Sequence, residues 1–209
     1  MSTKSDAAAR ARATPVGDRS YHHGNLRASA IAAALDALTD RMPSEISLRE
    51  LAKAIGVGHS ALYVHFRDRD ELFAVVSGQG FATLRTALAA ALDVPGEDSI
   101  AALSKAYLQF ARSNPAHYRA MYSPANTTAI NSSHIDAECN ACFAMLVQAV
   151  ADTGSVSGED AERRAIGIWC ALHGLVQLGG GSGVLRYKVE AKEEAELAGN
   201  FANTLARGG

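Results

Sequence analysis

His59, Ser60 and Ala61 stand at the start of a short amphipathic segment, directly after Gly56-Val57-Gly58. An imidazole and a hydroxyl can each donate or accept a hydrogen bond, and a methyl can meet the methyl of thymine. Together they are groups that could read base edges in a DNA groove. No Arg, Asn or Gln stands among them, so bidentate base recognition is absent and specificity would lean on DNA shape and water.

Such groups read DNA only if they are held rigidly, and residues 44 to 73 supply the support. Ser47-Leu48-Arg49-Glu50 is a capping box, with Ile46 and Leu51 spaced as a hydrophobic staple around it. Leu48, Leu51, Ala52 and Ile55 then recur on one helical stripe. Gly56 ends that helix at little cost in the left-handed conformation. A second helix is expected from about His59 to Phe66, with Leu62 and Phe66 inward. Two short helices joined by a tight turn form a helix-turn-helix, whose second helix enters the major groove.

The run Leu51-Ala52, Gly56-Val57, Ala61-Leu62-Tyr63, His65-Phe66, Arg69 and Glu71-Leu72 resembles the N-terminal domain of tetracycline-repressor-type (TetR) transcriptional regulators. Tyr21-His22-His23-Gly24-Asn25-Leu26-Arg27 resembles the lead-in of one subgroup, and Trp169-x-x-x-His173-Gly174 its C-terminal signature. The resemblance implies an all-α homodimer. Three N-terminal helices would bind a double-stranded DNA operator, and a larger helical domain would bind a small-molecule effector and dimerise. It further implies that Tyr63, His65 and Arg69 contact phosphates, as does Ser47 at a helix N-terminus. Hydroxyl, imidazole and guanidinium are suitable donors for that task. Arg69 stands where the family usually has lysine. Repression is the family default, and the effector and operator are not readable.

Composition sets the bounds. The chain has 209 residues, 48% of them apolar, and a net charge of −2, so no global basic field announces nucleic acid. Lys4, Arg10, Arg12, Arg19 and Arg27 face only Asp6 and Asp18 before residue 36, a modest basic arm or a plain solvated tail. Met1 to Ser20 lacks an apolar core, and no run approaches the roughly 20 apolar residues of a membrane span. Three cysteines point to a reducing cytoplasm, with Cys139 and Cys142 read as small buried thiols rather than a metal or redox pair. No metal or cofactor is expected. Two adjacent side chains, His22 and His23, diverge and make a poor metal site.

Helical periodicity continues to the end of the chain, with no strand pattern. A flexible arm at 1–20, a DNA-binding domain at 21–73 and an effector and dimerisation domain at 74–209 are expected. A first helix spans about 25 to 40, and a fourth runs from Asp68 to about Leu92. Gly78 and Gly80 inside the latter mark either close packing or a compliant joint. Further helices follow at about 98–112, 115–121, 135–153, 158–179 and 190–206. Loops lie at 123–133 and along Gly179 to Gly183.

Phe110, Tyr118, Met121, Tyr122, Phe143, Trp169 and His173 are the candidates to line an apolar effector cavity, with a plain core role as the alternative for each. Trp169 and His173 share a helical face with Ile166 and Val176. Ala161, Ala165, Leu172, Gly179, Ala198 and Ala202, together with Leu197, Phe201 and Leu205, are expected to form the dimer surface. An enzyme is not expected, because no nucleophile elbow, phosphate loop or marked carboxylate pair is present. A protein-binding helix-turn-helix is the remaining alternative.

Overall fold

The computed structural model describes residues 26–123, 133–179, 183 and 191–207. The basic arm, the histidine pair, most of the glycine link and most of the 123–133 loop lie outside them. The described residues form α-helices and one short 3₁₀ turn, with no strand among them. In order they are α1 (Leu26–Ala37), the 3₁₀ turn Pro43–Glu45, α2 (Leu48–Ala54), α3 (His59–Leu62), α4 (Arg69–Leu92), α5 (Ser99–Ser113), α6 (Pro115–Met121), α7 (Ser133–Ala151), α8 (Glu159–Gly179) and α9 (Ala191–Arg207).

The helix boundaries follow local chemistry. Ser47 caps α2: its hydroxyl oxygen accepts from the Glu50 amide, and the Glu50 carboxylate accepts from the Ser47 amide. Gly56, at φ 76°, turns the chain out of α2. Asp68 accepts from the Glu71 amide to open α4, while the Glu71 carboxylate reaches one residue further back, to the Arg67 amide. Asp98 opens α5 the same way, accepting from the Ala101 amide.

Regular α3 is shorter than expected. It ends at Leu62, and the chain passes through turns to Phe66, whose amide donates to the Leu62 carbonyl. Leu62 and Phe66 are both fully buried, so the side chains keep the expected spacing although the backbone leaves the helix.

Two apolar clusters organise the chain. Leu26, Ala30, Ile31, Ala34 and Leu38 of the first helix and its end pack with Leu48, Leu51, Leu62 and Phe66. Leu72, Phe73 and Val76 at the start of α4 complete that cluster, as does Ala120 from α6. The second cluster takes over at Ala74 and Phe81 and continues through α5, α6, α7, α8 and α9. α4 thus belongs to both. It is long and apolar enough to cross a membrane, but more than half of its most apolar stretch is buried within the protein. It is a core helix.

For Gly80 the choice left open is resolved: a Cβ there would lie 2.6 Å from Met121 Sδ and 3.2 Å from His117 Cβ. It is a close-packing position at which α6 lies directly on α4.

The expected dimer surface needs correction. Ala161, Ala165, Leu172, Ala198 and Ala202 are buried in the core of the protomer, and Gly179 faces Leu175 and Glu194 of its own chain. These small residues let α8 and α9 pack on their own domain. Leu197 and Phe201 are exposed as expected, Phe201 at 50%, joined by Ile166 and Leu178, whereas Leu205 is half-buried against the core. Ile166, one and two turns before the half-buried Trp169 and His173 on the same helical face, is itself exposed.

Candidate functional site

At the N-terminal face, α3 is presented by the packing of Leu62 and Phe66, which leaves its polar side outward. His59 and Ser60 are exposed and Ala61 is half-buried. Tyr63 and His65 are exposed, and the Tyr63 ring meets the edge of His59 at 6.4 Å. Ser47, Tyr63 and Arg69 converge on a recess of about 390 Å³ at the N-terminus of α2. Arg69 holds that recess together, donating to the Ser44 carbonyl at 3.2 Å and to Asp70 at 3.0 Å. Its guanidinium thus serves the protein already, and a phosphate would compete with Asp70 for it. Asp68 and Glu45 also border the recess.

Two basic groups escaped the sequence reading. Arg49 and Lys53 stand one turn apart on the exposed side of α2 and border a second recess with Val57 and His59. Their spacing of four on the polar face of a capped helix was the available signal. They add positive charge beside the candidate base-reading residues.

The second site lies where α5, α6 and α8 meet. Tyr107, Tyr118, Tyr122, Trp169 and His173 form a connected aromatic group. Tyr107 Oη lies 3.1 Å from Tyr118 Oη and 2.9 Å from Tyr122 Oη, and Tyr118 Oη is 2.6 Å from His173 Nδ1. The Tyr122 and His173 rings are 4.2 Å apart, and the Trp169 ring meets Tyr107 edge-on at 5.5 Å. Burial lowers the His173 pKa and favours the neutral ring, whose Nδ1 accepts from Tyr118 when the proton sits on Nε2. Burial likewise raises all three phenols, which stay protonated donors. The ordering in which each hydroxyl donates once runs from Tyr122 through Tyr107 and Tyr118 to His173 Nδ1.

Of the expected effector residues, this group unites Tyr118, Tyr122, Trp169 and His173. Phe143 lies on the far side of Trp169, at 6.1 Å. Met121 fills the groove at Gly80, and Phe110 is buried beside a different recess between α4 and α5. Tyr107 was not foreseen. It lies inward on the α5 stripe with Ile100, Leu103, Ser104 and Ala111, where a buried phenol needs a partner.

Above Tyr118 and Tyr122 opens a cleft of about 650 Å³, bordered also by Arg112, Arg119, Val176, Gln177, Glu194 and, at its rim, Asp40. It is not the apolar cavity expected. The space enclosed behind it, between Leu103, Tyr107, Cys142 and Trp169, is almost filled. Cys142 is buried there, its thiol pushed up to about 12 by burial, and donates to the Phe81 carbonyl. It is an inert core thiol. Among the described residues no three His, Cys, Asp or Glu side chains gather as metal ligands would.

A capped helix-turn-helix with an exposed polar face, joined through one shared helix to a helical domain with a cleft, defines a two-domain DNA-binding regulator. Residues 30–76 match the bacterial regulatory proteins of the tetR family, and residues 100–198 match the tetracyclin repressor-like C-terminal domain. The chain belongs to the TetR family of transcriptional regulators. Solved structures agree in fold. A protein with unknown function from Rhodococcus sp. RHA1 is 29% identical, with a TM-score of 0.71 over 91% of this chain and 98% of that one. A bacterial regulatory protein in the tetR family from Rhodococcus RHA1 is 17% identical, with a TM-score of 0.66 over 87% and 95%. The TetR family transcriptional regulator PfmR from Thermus thermophilus is 18% identical, with a TM-score of 0.61 over 86% and 94%. No curated protein matches the sequence.

Proposed function

We propose that the protein is a cytoplasmic homodimeric repressor that leaves a palindromic operator when a small molecule enters the cleft above Tyr118 and Tyr122. It would belong to the subgroup marked by Trp169-x-x-x-His173-Gly174. His59, Ser60 and Ala61 read base edges, and Ser47, Tyr63, His65 and Arg69 hold phosphates. No cofactor or catalytic step is involved.

The observation that carries this reading is the position of α6. It borders the cleft with Tyr118 and Arg119, packs on α4 at Gly80, and touches the DNA-binding domain through Ala120 and through the bond from Arg119 to the Leu38 carbonyl. A ligand at the cleft therefore bears on the helix that both domains share. It shifts the equilibrium between DNA-competent and released forms by its difference in affinity for the two.

Selection of bound fragments from genomic DNA tests the first half, and a palindrome next to the coding sequence is the expected outcome. Screening small molecules for release of that fragment tests the second. Recovery of no specific fragment would count against a regulator that acts by binding its own operator.

A further inference from the structure

We infer that the effector is a small amphipathic organic acid, and that its carboxylate draws Arg119 away from the Leu38 carbonyl. The inference rests on the cleft above Tyr118 and Tyr122 being the effector site, and it names the ligand class and the point of coupling.

The charges around the cleft single out Arg119. Arg112 is paired with Glu194, whose carboxylate is buried, so those two charges cancel. Asp40 sits on the rim, exposed, where water and salt screen it. Arg119 is half-buried and donates from one Nη to a neutral carbonyl, and among the described residues it pairs with no carboxylate. A guanidinium carries five N–H donors in a planar fork that matches a carboxylate. The bond to Leu38 is a single one to a neutral acceptor, whereas a carboxylate offers two ionised acceptors in the geometry of the fork. An incoming carboxylate therefore competes well with Leu38 for the same group.

The remainder of the lining describes the rest of the ligand. The hydroxyls of Tyr118 and Tyr122 are committed to one another through Tyr107 and to His173. The tyrosines thus offer rings to the cleft, and Val176 adds an aliphatic wall. Among the described residues, Gln177 supplies the one further neutral polar side chain there. An apolar or aromatic body with one acidic end fits this set, whereas an amine would face Arg119 and find only the screened Asp40.

The consequence reaches the DNA-binding domain because Leu38 directly follows α1 and its side chain is fully buried in the helix-turn-helix core. Removing Arg119 frees the carbonyl at the end of α1 and severs a polar link between that helix and α6.

The test uses the full-length protein, its selected DNA duplex, and a series of acids: benzoate, phenylacetate, 4-phenylbutyrate, octanoate and decanoate, each beside its primary amide. Binding is read from the fluorescence of Trp169, the single tryptophan. DNA release is read separately, from the anisotropy of the labelled duplex. At least one acid should bind and release DNA, with its amide weaker by about tenfold or more, equivalent to about 1.4 kcal/mol. Arg119→Gln should bring the acid down to the level of the amide and leave the amide unchanged, and Arg119→Lys should fall between. Equal binding of acids and amides, preference for the matching amines, or no response to any acid would overturn the inference. An uncharged compound that alters Trp169 fluorescence and frees DNA at lower concentration than every acid would remove the acid class while the effector cleft stands. An acid that binds through Arg119 without releasing DNA would sink the coupling instead.

Discussion

At the scale of single residues, the roles proposed for the helix-turn-helix face separate positioning from reading. Tyr63 and Arg69 border the recess at the N-terminus of α2, whereas His59 and Ser60 project from the start of α3. Tyr63→Phe and Arg69→Ala should weaken binding to every sequence alike, and His59→Ala should change which bases are preferred. Affinities across a library of operator variants decide this, and equal, sequence-independent losses for all three would refute the division. The hydroxyl chain makes a different prediction, about pH. Burial depresses the His173 pKa, so the unfolded imidazole takes up a proton more readily than the folded one. Stability is therefore complete above the unfolded value of about 6.5 and is lost as pH falls below it. Urea unfolding from pH 7 to 5 should show a steeper loss for the native protein than for His173→Gln. Some slope will remain, because burial lowers the His117 pKa too. Identical slopes would show that the fold does not lower the His173 pKa. The sequence disclosed Tyr118, Tyr122, Trp169 and His173 as candidates because large amphipathic side chains at helical spacing must go inward. It did not disclose Tyr107 as their centre or Arg119 as the charged group beside them. Both depend on how α5 and α6 dock, and spacing within one helix does not report docking.

At the scale of elements, the caps were readable and the contacts between helices were not. Ser47, Asp68 and Asp98 each open a helix as their local sequence requires, since a cap is a contact between residues three apart. The end of α3 was misjudged because Leu62 and Phe66 satisfy helical spacing even though the intervening backbone turns out of the helix. Gly80 illustrates the other limit: its sequence context admits a joint or a tight contact, and only the neighbour decides. Alanine would gain about 1 kcal/mol of helix propensity but force overpacking that costs about 1–3 kcal/mol. Gly80→Ala should therefore destabilise the protein in chemical denaturation. In a Met121→Ala background the clash with the thioether is gone, and the same change should become neutral or stabilising. A loss of equal size in both backgrounds would mean that α6 does not press on α4 there.

At the scale of the whole molecule, the exposed apolar residues of α8 and α9 offer a surface to the proposed second copy. Ile166, Leu178, Leu197 and Phe201 lie on two helices that pack side by side, and each is between 46% and 50% exposed. The small residues that seemed suited to an intersubunit bundle hold these helices to their own domain, so it is the larger side chains that remain outward. One helix-turn-helix covers few base pairs, and specificity demands a second at a half-site about 34 Å away, related by two-fold symmetry. A four-helix arrangement of α8 and α9 with their copies would cover the apolar residues and set that spacing at once. Phe201 is half-exposed within the protomer, so Phe201→Asp should leave the fold intact while placing a charge where the copies meet. Sedimentation at micromolar concentration should give a dimer for the native chain and a folded monomer for the variant. The variant should lose affinity for the palindrome and retain the weak affinity of a single half-site. A native protein that stays monomeric yet binds the palindrome at full affinity would break the link between α8, α9 and operator recognition.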